Sequence, residues 1–137
     1  MKTPAARTVL LLGVVYFVVG ILFGSLAGHA ASHQLRVAWR WTAWIVSAAA
    51  FGAHIAYEQV RLSSSPKVTA LHVALGAALG AFGLAVAANV HALTASVHPT
   101  SPLLALSMLI WPVMTALPAF VVALVLAILL ARLRRFV

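Results

Sequence analysis

Few residues in this chain are equipped for chemistry, and three of them stand close in sequence. Glu58 is the sole acid among 137 residues. His54 precedes it by one helical turn, and His72 follows across the break Ser63-Ser64-Ser65-Pro66. An ionisable group inside an apolar segment is costly and marks a functional hypothesis by default. His54 lies seven residues before Arg61 and His72 five after Lys67, so both sit about 7–11 Å inside the same boundary at 1.5 Å per residue. Two neutral imidazoles at equal depth on neighbouring helices could ligate a b-type haem axially, with Arg61 and Lys67 near its propionates. The plainer expectation is that each histidine bonds a neighbouring hydroxyl, carbonyl or carboxylate. For Glu58 it is a snorkelling carboxylate paired with Arg61 or Arg7. His29, His33, His91 and His98 gather toward the other boundary and form no convergent set.

Much else is excluded. Cysteine is absent, which removes disulfides, thiolate metal sites, iron–sulfur clusters and cysteine nucleophiles. With one acid there is no carboxylate pair, no di-iron site and no Ser-His-Asp triad. H-E-x-x-H is missing, as is any phosphate loop.

These residues are carried on elements that composition defines. The chain is 64% hydrophobic and 7% charged, with mean hydropathy +1.10, whereas a soluble domain carries roughly 25% charged residues. The expectation is an all-α integral membrane protein of four transmembrane helices: Thr8–Gly28, Trp39–Val60, Val68–Leu93 and Leu103–Ala131. Each exceeds the roughly 20 residues that cross a hydrocarbon core, where backbone groups must be bonded internally. The breaks at 63–66 and at His98-Pro99-Thr100-Ser101-Pro102 separate the later helices; the first loop, Ala30 to Ala38, has no strong turn signal. An up-down-up-down bundle puts Lys2, Arg7, Arg61, Lys67, Arg132, Arg134 and Arg135 on one side, against Arg36 and Arg40 on the other. The positive-inside rule makes the first side cytoplasmic, so both termini are expected inside, in a bacterial cytoplasmic membrane. Trp39, Trp41 and Trp44 then anchor the opposite interface. The net charge of +8 is accounted for by topology, so nucleic acid is not an expected partner. Lys2 and Arg7 followed by an apolar run and small residues near Ala30 also resemble a signal peptide, whose cleavage would leave three spans.

Helical spacing sorts the faces. Gly13, Gly20, Gly24 and Gly28 align on helix one, and Gly76, Gly80 and Gly83 on helix three. Such stripes let backbones approach closely in lipid, as in a glycine zipper. On helix two, Arg40, Ser47, His54, Glu58 and Arg61 project within about 60° of one another, with Ala43 and Phe51 in the same sector. That polar stripe is expected to face the bundle interior or a partner subunit. Pro112 and Pro118 should perturb helix four.

The leading reading is a non-catalytic accessory, scaffold or assembly subunit that joins a larger membrane complex or a homo-oligomer. A rival is a haem-binding or quinone-associated redox subunit using His54 and His72. A third is a proton-coupled transporter using Glu58. The chain's size and lone membrane acid are similar to those of small multidrug transporters, although here the acid lies in the second helix instead of the first.

Overall fold

A computed structural model describes residues 3–94 and 102–134. They form four helices: α1 (Thr3–Gly28), α2 (His33–Val60), α3 (Pro66–Thr94) and α4 (Pro102–Leu133). Among the described residues α1, α3 and α4 are long and apolar enough to cross a membrane. At 28 residues α2 has the length, but Arg36, Arg40, His54, Glu58 and Gln59 lower its apolar character. Lys2, His98 and Arg135 lie outside the described residues.

Each helix extends beyond the expected boundaries, for local reasons. α2 begins at His33 instead of Trp39 because Ser32 caps it: the Ser32 side chain accepts from the Leu35 backbone N–H at 3.2 Å. A serine oxygen satisfies one of the orphan donors of the first turn in this way. The first loop is therefore the short stretch 29–32. At the other end Arg61 is the C-cap, its N–H bonding the Tyr57 carbonyl. Ser63 then takes the left-handed conformation with φ 50°, turning the chain sharply into α3. The Ser65 hydroxyl accepts from Val68 N at 3.4 Å at the start of that helix. α4 continues through Pro112 and Pro118 over 32 residues, about 48 Å at ideal rise.

α3 is the central element. It packs along α4 and α1, while α1 also packs on α2; α2 meets α3 and α4 over a short stretch only. The buried residues of α2 are accordingly His54, Ile55, Glu58 and Gln59, all near its C-terminal end. Leu12, Ile55, Ala70, Val73, Ala123 and Ala127 form the core, drawn from all four helices. Leu, Val and Ile side chains of α1 and α4 stand exposed over most of the outer surface, as a lipid-facing exterior requires.

Small residues set the α1–α3 spacing. A Cβ on Gly80 would come within 2.5 Å of the Tyr16 Cβ, and one on Gly13 within 2.9 Å of the Leu79 Cβ. Added Cβ atoms on Gly76, Gly83 and Gly20 would meet Leu12, Phe17 and Leu84 respectively at 2.8, 2.8 and 2.6 Å. Dispersion between closely approaching backbones is the main attraction available in lipid. The run Gly20, Gly24, Gly28 does not form one continuous contact, however. Nothing stands within 4 Å of a Cβ at Gly24 or Gly28, because α1 and α3 no longer face each other there.

Candidate functional site

The polar residues of α2 divide between two places. Near its C-terminal end, α2 and α3 close around Glu58, whose side chain is 0% exposed. Glu58 Oε2 accepts from the Ser64 hydroxyl at 2.7 Å. Glu58 Oε1 accepts from His72 Nδ1 at 3.0 Å. The left-handed Ser63 makes the first of these contacts reachable, since it folds Ser64 back over the helix end. The Ser64 N–H also bonds the Glu58 carbonyl at 3.1 Å, so one residue satisfies both the side chain and the backbone of the other.

His54 Nε2 lies 3.5 Å from the same Oε1. That is within ion-pair range but outside hydrogen-bond geometry, and neither ring nitrogen of His54 has a hydrogen-bond partner among the described residues. Alongside, Gln59 Nε2 donates to the Thr69 hydroxyl at 3.0 Å and to the Ser64 carbonyl at 3.2 Å. Arg134, just beyond α4, donates from Nη1 to the Gln59 carbonyl at 2.6 Å. Carboxylate, imidazole, hydroxyl and amide groups from α2, the turn and α3 thus form one buried network, tied to the end of α4. Buried polar groups are costly unless bonded, and Glu58 has a donor on each oxygen.

One expectation is corrected here. Glu58 is paired with neither Arg61 nor Arg7, both of which are exposed. Arg61, the C-cap of α2, keeps its helical bond to Tyr57 but stays exposed, while Glu58 is satisfied by Ser64 and His72. His54 and His72 do converge, but on a carboxylate oxygen. The two rings approach one Oε1 at 3.5 and 3.0 Å, and this geometry adds no support to the haem expectation. Sequence reasoning missed Ser64, read only as part of a breaker, and the Gln59–Thr69 and Arg134 ties.

The upper half of the stripe has a different setting. Ser47 is half-buried, while Arg40 is exposed and lines an open cleft of about 560 Å³ between α1 and α2. Gly24 and Gly28 border that cleft, as do Arg36 and Trp44. A second cleft, of about 720 Å³, runs between α1 and α3 and is lined mainly by apolar side chains with His91 at one end. Neither cleft borders Glu58, His54 or His72. His29 and His91 do not meet: His29 Nδ1 lies 2.9 Å from the Ser25 carbonyl on its own helix, and both are exposed.

Compared with protein-family models, with curated proteins and with solved structures, the chain matches none.

Proposed function

We propose that this chain is a non-catalytic integral membrane subunit that assembles with a larger membrane complex or with copies of itself. The observation that carries the reading is the enclosure of Glu58. The chain's only acidic side chain is fully buried, bonded on both oxygens and reached by neither of the two clefts among the described residues. A proton-coupled site needs a carboxyl that alternates between accessible and occluded states, and a redox site needs space beside its ligands. Here the carboxyl is held occluded, with both oxygens bonded and the two histidines packed against it. What remains for function is a broad apolar exterior and the packing of helices.

In this reading α2 is the fourth span, crossing from about Trp39 to Val60 with Arg40 and Glu58 toward its two ends. The helices run up-down-up-down with both termini cytoplasmic. Gly76 and Gly80 lie against Leu12 and Tyr16, while Leu84 lies against Gly20, an ordering that favours parallel α1 and α3. Glu58 bonded to His72 and Arg134 bonded to Gln59 favour α2 and α4 running the other way. The same contacts put Arg61, Lys67 and Arg134 toward one end, in keeping with the positive-inside rule.

The test is extraction from the native membrane in a mild detergent followed by mass measurement of the particle. A stoichiometric complex, of one partner protein or of several copies of the 14.4 kDa chain, is the expected result. A monomer showing substrate-dependent proton movement that Glu58→Gln abolishes without unfolding it would contradict the proposal. So would a Soret band lost in His72→Ala.

A further inference from the structure

We propose that the α1–α2 cleft binds the phosphate headgroup of an anionic glycerophospholipid, held by Arg36 and Arg40. The inference rests on the membrane location of the chain and is independent of the subunit role. Arg36 and Arg40 are one turn apart on α2 and both line the cleft. Neither side chain has a hydrogen bond or ion pair among the described residues. Glu58, the only acidic side chain, cannot serve them, since it lies about five turns beyond Arg40 along α2, roughly 27 Å away. Two exposed guanidinium groups at i, i+4 repel mildly, and an anion between them would offset that repulsion. Guanidinium forks match phosphate oxygens in geometry and charge.

The rest of the cleft suits the remainder of a lipid. Phe23 and Trp44 line it, and Phe23 meets Trp39 with ring centroids 6.0 Å apart, holding α1 to α2 at this end. Tryptophans of this kind concentrate at the headgroup level of a bilayer, which is where a phosphate would be found. Below the arginines, Gly24 leaves open space that no side chain of the described residues fills. An acyl chain can lie in that space, on an apolar floor continuous with the lipid-facing surface. Phosphate esters also occur in solution, so the experiment must separate lipid from free phosphate.

The full chain in detergent is titrated with phosphatidylglycerol or phosphatidylcholine, and bound lipid is counted by native mass spectrometry. The wild type should retain phosphatidylglycerol about tenfold more tightly than phosphatidylcholine, whose choline cation offsets the same phosphate charge and is repelled by the two arginines. The Arg36→Gln/Arg40→Gln variant should lose that preference. An Arg7→Gln/Arg61→Gln control, with the same change in net charge, should keep it. Gly24→Leu, which fills the cleft with both arginines intact, should weaken binding similarly and stands in should the double variant not fold. Unchanged binding in Gly24→Leu, or equal losses in the double variant and the control, would overturn the proposal. Displacement of the lipid by excess inorganic phosphate would also overturn it, giving the arginines to a soluble anion.

Discussion

At the scale of single residues, Glu58 and its neighbours make unequal contributions that mutation can separate. Ser64→Ala removes the donor on Oε2 and leaves a buried carboxylate oxygen unsatisfied, which should destabilise by roughly 1–3 kcal/mol. His72→Leu should cost as much, for the same reason at Oε1. His54→Leu should be close to neutral, because both nitrogens of His54 are buried without hydrogen bonds and an apolar side chain relieves that burial. Unfolding of the three variants in mixed micelles against an increasing denaturing detergent gives the comparison. A His54→Leu loss equal to that of His72→Leu would show that His54 bonds Glu58 after all. The sequence made part of this legible. His54 and His72 were predicted at one depth because a short turn joins their helices, and the lone acid one turn from His54 drew attention for its cost. Ser64 was not legible as its partner. Its hydroxyl reaches Glu58 through the left-handed φ of Ser63, and nothing in a run of three serines announces that conformation.

At the scale of elements, the glycines separate by what surrounds them. Gly80→Ala forces α1 and α3 apart, since the new Cβ would clash with Tyr16 and crowd the Gly13 carbonyl; a loss of about 1–3 kcal/mol is expected. Gly24→Ala meets nothing within 4 Å and should be neutral, or stabilising by up to about 1 kcal/mol through helix propensity. The same unfolding assay reads both, and equal losses would mean that Gly24 packs against something in the membrane. Ser63→Gly should stabilise the α2–α3 turn by about 1 kcal/mol, because the left-handed region costs an L-residue that much. The stripes were readable from helical spacing, which fixes which residues share a face. Where a neighbouring helix stops covering that face depends on tertiary packing, so Gly24 and Gly28 could not be told apart from Gly20. The start of α2 was misjudged for a different reason: the Trp-rich segment marked the onset of apolarity, while the cap at Ser32 marked the onset of helix.

At the scale of the molecule, three helices among the described residues are apolar enough to cross a membrane, and the proposed bundle requires that α2 cross with them. The chain has no cysteine, so single reporters are unambiguous. Ser63→Cys and Ala31→Cys, both at exposed turn positions, should react with an impermeant maleimide from opposite sides of the membrane. Labelling from one side would mean that α2 lies along the surface. Around Glu58 the chain turns its polar groups inward, making this carboxyl a tie between α2, the turn and α3. The most direct test of that tie is reaction with a hydrophobic carbodiimide in native membranes, followed by peptide mapping. Glu58 is the only acidic side chain, so an internal adduct reports on it alone. The account predicts no adduct at Glu58 in the folded protein and ready modification after denaturation. Rapid modification in the folded protein would reveal a protonated carboxyl that reagents can reach, and would contradict it.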